Sequence, residues 1–201
     1  GADSGTVVLL AHGAGAGQDS SFMQAMAVGL ADQGCRVGLF DFPYMQRARR
    51  EGRRRPPDRM PRLIENWQRV VEQVVSQGAT RLVIGGKSMG GRVASMIYED
   101  LVDAAGLVCL GYPFHPPGKP DRLRVEHLRQ IKKPVLVIQG ERDALGNRQE
   151  VDRYQLPCHF QVEWLEDGDH SFKPRKASGF TQQQHLQQAV QVMAGWFKSI
   201  S

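Results

Sequence analysis

The chain has no apolar run approaching the roughly 18–20 residues that a membrane-spanning helix requires, so a helical membrane span is not expected. Its first residues, Gly1-Ala-Asp-Ser-Gly, have neither the basic stretch nor the apolar core of a signal peptide. Cysteine is scarce. Cys35, Cys109 and Cys158 show no pairing-like spacing, and Cys35 and Cys109 sit in or beside apolar runs. They read as free core thiols in a reducing compartment, and the expected location is cytoplasmic. No cluster of residues has metal-ligand spacing, and neither a metal nor an organic cofactor is expected. What remains is 201 residues with 41% hydrophobic content, enough for one domain over residues 1–201 with its own core.

Positive charge is concentrated rather than spread. The net charge is +5, yet residues 47–62 (RARREGRRRPPDRMPR) hold eight arginines against Glu51 and Asp58, leaving −1 for everything else. A nucleic-acid-binding domain usually covers a face with positive charge and interleaves it with aromatic side chains. A single basic loop without aromatics does neither, so nucleic acid is not expected as a partner.

Apolar runs bounded by Gly and Pro alternate with helical patterns. TVVLLAHG (6–13), CRVGLFDF (35–42), TRLVIGG (80–86), AAGLVCLGYPF (104–114), KPVLVIQGERD (133–143) and HFQVEWLEDGDH (159–170) read as six strands. Residues 20–34, 61–78, the segment after Ser88, 122–131 and 181–200 read as helices, with Ser20 a cap candidate and Gly34 a stop. Continuous apolar strands imply that both sheet faces are covered, which gives an α/β fold with a doubly wound, mostly parallel sheet flanked by helices. Sites in such sheets lie at the carboxyl ends of the strands. Gly13, Ser88, Tyr112, Asp143 and His170 all follow strand ends.

GGKSMGG (85–91) admits two chemistries. A phosphate loop needs a long glycine-rich turn before Gly-Lys-Ser, but the residue five before Gly86 is Arg81, which opens a strand. A nucleophile elbow needs strand, Gly-x-Ser-x-Gly and helix, and LVIGGKSMGGRVA supplies all three, with Gly86 and Gly90 clearing the neighbouring backbone. Ser88 then requires a base, and the base an orienting carboxylate, in the chain order Ser, Asp/Glu, His. Asp143 in GERDALG and His170 in EDGDHSF fit that order. Glu141 is the alternative acid, while Asp167 and Asp169 are expected to shape the histidine turn. The oxyanion hole is expected from the backbone N–H of Met89 and that of Ala14, with Gly13 in reserve. His12 is assigned to orienting this first loop. Reading GAGAGQ as a dinucleotide fingerprint fails, because a partner acid about 20 residues on is not convincing.

At this point the sequence resembles the α/β-hydrolases. It is similar to the small lidless branch near the dienelactone-hydrolase-like proteins, and more particularly to the family that includes the alpha/beta domain of the NSL chromatin complex subunit. The resemblance rests on LLAHGAGAG, FDFPYM, RRRPPDR, GGKSMGGRVAS, GYPFHPPGKP, VLVIQGERDALG and DGDHSF, which run over nearly the whole chain. It implies Ser88 as nucleophile, His170 as general base and Asp143 as its orienter. Dienelactone hydrolases carry cysteine at the elbow where this chain has Ser88, so their lactone chemistry does not transfer. Residues 112–120 are too short for the cap that other members insert there, which implies an open site. Tyr44 and His115 are candidate pocket residues, and Arg55 and Arg59 are the candidate ordered members of the basic loop.

Two functions of different classes follow. One is a serine hydrolase of esterase or thioesterase type, taking a small-molecule ester or thioester that the Arg loop would favour if anionic. The other is a hydrolase-fold binding or scaffold protein with little or no catalysis, holding an anionic partner on residues 47–62. The complete Ser, Asp, His order and the two glycine loops favour the enzyme.

Overall fold

A computed structural model of the chain describes residues 5–200. Six strands, β1 (Thr6–Ala11), β2 (Arg36–Phe40), β3 (Arg81–Lys87), β4 (Ala104–Leu110), β5 (Val135–Gly140) and β6 (Phe160–Leu165), form one sheet in the order β2-β1-β3-β4-β5-β6. Every neighbouring pair is parallel. The chain steps outward from β1 to β2, returns to β3 on the other side, and proceeds to β6. The reversal leaves a crevice between the carboxyl ends of β1 and β3, where such sheets hold ligands.

The central strands are buried along nearly their whole length, whereas the edges β2 and β6 are only partly covered. Val8 and Leu10 turn to one face, packing with Val83, Leu136 and the helices α1 (Ser21–Asp32) and α6 (Gln182–Ser199) through Met23, Met26 and Met193. Leu9 and Ala11 turn to the other face, against Leu63, Trp67 and Val71 of α3 (Met60–Ser76) and Val93 and Ile97 of α4 (Met89–Ile97). This alternation places each strand residue between two helical layers.

Local signals explain the helix ends. Ser20 caps α1 by accepting from Met23 N–H, and Gly34, at φ 84°, ends the turn that follows. Thr181 and Gln184 form a reciprocal capping box on α6. Leu63, Trp67 and Val71, spaced four apart, make the buried stripe of α3, and Trp67 meets the Phe40 ring edge-on at 4.8 Å.

Two sequence expectations fail. Residues 122–131 do not form a helix; only the 3-10 turn Leu128–Gln130 appears. Arg124 N–H donates to Phe114 O at 2.7 Å and Arg124 O accepts from the Tyr112 hydroxyl at 2.9 Å, so the backbone groups a helix needs are committed elsewhere. Residues 47–62 are not one loop either. Helix α2 (Pro43–Glu51) carries Arg47, Arg49 and Arg50, starting at Pro43 and closing on Gly52 in the left-handed conformation. The remaining helix, α5 (Arg148–Val151), is a single turn with its own capping box. After β4 there is no cap domain among the described residues, and none of their helices is long and apolar enough to cross a membrane.

Two helical glycines test this packing. A Cβ on Gly29 of α1 would stand 2.7 Å from Val190 Cγ2 of α6, whereas one on Gly195 of α6 meets open space. Gly29→Ala is expected to cost about 1–2 kcal/mol through overpacking. Gly195→Ala is expected to stabilise by up to about 1 kcal/mol through helix propensity. Urea denaturation of both variants checks the opposite signs; a shared sign would contradict the α1–α6 contact.

Candidate active site

The turn after β3 is fixed by close backbone approach. A Cβ at Gly86 would lie 2.2 Å from Ala11 O, one at Gly90 2.3 Å from the same oxygen, and one at Gly91 2.6 Å from Gly86 O. Only hydrogen fits at these positions. The chain therefore reverses within one residue, and Ser88 takes φ 52° and ψ −116°, a conformation that costs a serine on the order of 1–3 kcal/mol. Its N–H donates to Leu110 O at 2.9 Å and its carbonyl accepts from Arg92 N–H at 3.0 Å, so the strained residue is held on both sides. Ser88 is the N-cap of α4, and Met89 opens the helix, which leaves the Met89 N–H among the first-turn donors without an intrahelical acceptor.

Ser88 Oγ lies 2.8 Å from His170 Nε2, and His170 Nδ1 lies 2.7 Å from Asp143 Oδ2. Since a carboxylate only accepts, Nδ1 carries the proton, and Nε2 is free to accept from the serine hydroxyl. Asp143 is fully buried and satisfied by three donors: His170, Leu145 N–H at 2.8 Å and the Gln139 amide at 2.9 Å. Gln139, itself fully buried on β5, is fixed in turn by accepting from Tyr112 N–H at 2.7 Å. Glu141 faces away, taking Arg148 at 2.8 Å and Asp167 N–H at 3.2 Å. Asp167 is bound to Arg175 and Arg142, and hydrogen bonds to Arg175 hold its carboxyl down at about 2. Asp169 accepts from the N–H groups of Ser171 and Lys173, which shapes the histidine turn.

The loop after β1 forms the facing wall. His12 is buried; its Nε2 accepts from Phe42 N–H at 3.1 Å, so Nδ1 donates to Gly13 O at 2.6 Å. Burial lowers its pKa and favours this neutral form. The Tyr44 hydroxyl reaches Gly13 O at 3.2 Å and Ala14 O at 3.0 Å. Between this loop and Ser88 lies an open cavity of about 380 Å³, whose lining includes Gly13, Ala14, Phe22, Lys87, Ser88 and His170.

Other expected pocket residues are placed differently. Tyr44 is fully buried and bears on the loop from behind, outside the cavity lining. His115 is buried against Pro116 O and Glu150 and does not reach the cavity. Arg55 is held by Glu51 at 2.7 and 2.8 Å and lines a separate groove of about 490 Å³ that shares Ala14 and Gly15 with the cavity. Arg59 is exposed and makes no side-chain cap to α3. Besides Arg55, the ordered arginines include Arg47, at 2.5 Å from Asp58, and Arg49, which spans Asp19 and the buried Asp41. Their position on a helix was readable from the Pro43 start and the Gly52 stop.

Two site residues carried no sequence signal, Gln139 and Lys87. Lys87 is the residue before the nucleophile candidate, yet its ammonium turns inward to donate to His170 O at 2.5 Å, with the Phe22 and Phe172 rings 5.5 and 6.0 Å away. Burial pulls its pKa down to about 8, against the pull of Asp143 and Asp169. Among the described residues, no three His, Cys, Asp or Glu side chains converge as a metal site would require.

A family profile described as an alpha/beta hydrolase domain matches residues 4–198. Solved structures of similar fold include a dienelactone hydrolase from Anabaena variabilis, with 22% identity, a TM-score of 0.69, and 99% of this chain and 87% of that one covered. An α/β serine hydrolase without a lid from Xanthomonas campestris shows 17% identity and a TM-score of 0.68 over 99% and 82%. An α/β serine hydrolase homologue from Coxiella burnetii shows 14% identity and a TM-score of 0.74 over 97% and 86%. At these identities the likeness is one of fold.

The buried Lys87 gives stability a particular pH dependence. Its folded pKa of about 8 lies below the ordinary 10.5, so below pH 8 the folded state bears the full cost of a buried charge. As pH rises from 8 to 10.5 the folded protein sheds that charge while the unfolded chain keeps it, and the penalty disappears. The stability of the wild type relative to Lys87→Met should therefore improve over that window by up to about 3 kcal/mol. Chemical denaturation of both proteins at pH 7, 8.5 and 10 measures it; a flat difference would contradict the burial of a protonated amine.

Proposed function

The chain belongs to the alpha/beta hydrolase domain family, and from that membership we propose that it is a serine hydrolase of esterase or thioesterase type working through an acyl-enzyme. The observation that carries the proposal is the continuous relay from Ser88 Oγ to His170 Nε2 at 2.8 Å and from His170 Nδ1 to Asp143 at 2.7 Å, ending on a carboxylate with no solvent exposure. Ser88 Oγ attacks the acyl carbonyl while His170 Nε2 takes its proton. The carbonyl oxygen becomes an anion and is received by the N–H groups of Met89 and Ala14. The carbonyl re-forms, the bond to the alcohol or thiol breaks, and His170 returns the proton to the leaving group. Water, deprotonated by the same nitrogen, then attacks the acyl-enzyme and releases the acid and Ser88.

Asp143 and Gln139 act on His170 and not on the substrate. Asp143 holds the tautomer with the proton on Nδ1 and offsets the imidazolium that forms on Nε2 protonation. Gln139 holds Asp143. Tyr44 and His12 act in the same way on the Gly13–Ala14 carbonyls, fixing the direction of the Ala14 N–H. The uncapped cavity suits a short acyl chain.

A fluorophosphonate probe is expected to label the wild type stoichiometrically and to leave Ser88→Ala and His170→Ala unlabelled. Asp143→Asn should label slowly, with ester turnover down about 10⁴-fold, because the amide stabilises the wrong tautomer. A wild type that neither labels nor cleaves p-nitrophenyl acetate would overturn the proposal in favour of the binding protein.

Tyr44→Phe tests the loop. It removes the hydroxyl shared by two carbonyls, and the resulting misalignment should lower kcat about tenfold with KM little changed. Steady-state kinetics on p-nitrophenyl acetate reads the split; a pure KM effect would place Tyr44 in substrate binding instead.

A further inference from the structure

Anion recognition in this chain has two candidate locations, and their state of compensation separates them. The Arg groove carries more cations, but most are already matched. Arg49 is committed to Asp19 and Asp41, and Arg53 and Arg55 share Glu51. Arg53 and Arg54 are exposed, where hydration competes with any ligand. A charge there gains little from a further partner.

Lys87 is in the opposite situation. It is 9% exposed, it lines the cavity that holds Ser88 and His170, and no carboxylate lies within 4 Å of its ammonium among the described residues. Of three N–H donors, one is accounted for by the neutral carbonyl of His170. The two aromatic rings beside it offer weak cation–π attraction and no acceptor lone pair. A largely desolvated ammonium with donors to spare, on a side chain that lines the open cavity, interacts far more strongly with an anionic oxygen than a hydrated arginine does.

We propose that Lys87 Nζ is the anion-recognition point of the catalytic cavity, and that the acyl group taken by Ser88 carries a carboxylate. This rests on the serine-hydrolase proposal. The substrates are then half-esters or half-thioesters of short dicarboxylic acids: one carboxyl end meets Lys87 and the other bears the bond that Ser88 attacks. The charged groups around Lys87 are Asp143 and Asp169 by longer-range attraction, together with His170, whose carbonyl it holds. Asp143 already accepts from three donors and lies beyond ion-pair distance of Nζ, so it is not a close partner.

The test compares monoethyl malonate, succinate and glutarate with ethyl esters of unbranched monocarboxylic acids of similar length. At pH 7, kcat/KM for the best half-ester is expected to exceed that of its neutral counterpart at least tenfold. That ratio should fall at least tenfold in Lys87→Met and be partly kept in Lys87→Arg. In the wild type alone it should fade between pH 7 and 9.5 as the ammonium deprotonates, a readout that needs no folded variant. A preference for neutral esters, or a preference for half-esters that persists in Lys87→Met or at pH 9.5, would overturn the proposal. Fluorophosphonate labelling of the same preparations keeps the two proposals apart. If the wild type is not labelled, the hydrolase proposal fails, and calorimetric titration with glutarate at pH 7 and 9.5 then decides whether the cavity takes a dicarboxylate.

Discussion

The candidate site depends on one close approach: the carbonyl of Ala11 at the end of β1 against the backbone at Gly86 and Gly90 on either side of the β3 turn. That contact leaves room only for hydrogen. It forces the chain to reverse within a single residue, and the residue at the reversal, Ser88, is the non-glycine residue of the turn whose φ is positive. The same contact brings the loop after β1 beside the first turn of α4, with Gly13 lying against Lys87 and Ser88. A strain on the order of 1–3 kcal/mol at one serine is small beside the burial of β1, β3 and β4 between two helical layers. The packed sheet over-determines the turn.

Polar groups behind the two loops then convert a shape into a fixed orientation. Behind the histidine loop stand Asp143 and Gln139, both without solvent exposure and both hydrogen-bonded. Behind the glycine loop stand His12 and Tyr44, donating to the Gly13 and Ala14 carbonyls. An unsatisfied group in either place would cost roughly 1–3 kcal/mol, so both networks strongly favour one arrangement of the loop above. Neither loop is long, and neither carries a cap; the rigidity comes from below.

The sequence made some of this legible, for a definable reason. Where geometry admits one residue type, the residue itself is the signal: Gly86, Gly90 and the cap Ser20 could be read directly. The six strands and their layering were equally readable, because apolar continuity reports two covered faces. What could not be read is whatever depends on partners far along the chain. Gln139 looks like any polar residue at a strand end until Asp143 and Tyr112 are folded around it. Tyr44 and His115 are amphipathic residues near strand ends, and only the direction of the fold tells a wall from a buttress. The missing helix at 122–131 has the same cause. Its buried Val125, Leu128 and Ile131 recur every three residues, which suits a helix and a pinned turn alike, and the bonds from Tyr112 and Phe114 select the turn. Helix α2 is different: its Pro start and Gly stop stand in the sequence, within a run whose eight arginines have the composition of a solvated loop.

Those arginines show how composition can mislead about chemistry. Counting charges directs attention to residues 47–62, where the surplus is largest. Counting partners shows that Arg47, Arg49, Arg53 and Arg55 already have carboxylates, and that exposure lets water serve the rest. The cation with most to gain from a ligand is a single lysine hidden in the elbow itself, with a neutral carbonyl as its hydrogen-bond acceptor and two rings for company. Desolvation, and not number, decides where a charge still seeks a counter-charge, because an ion pair is worth several-fold more where water is excluded. A sequence reports how many charges there are; only the fold reports which buried one still lacks a counter-charge.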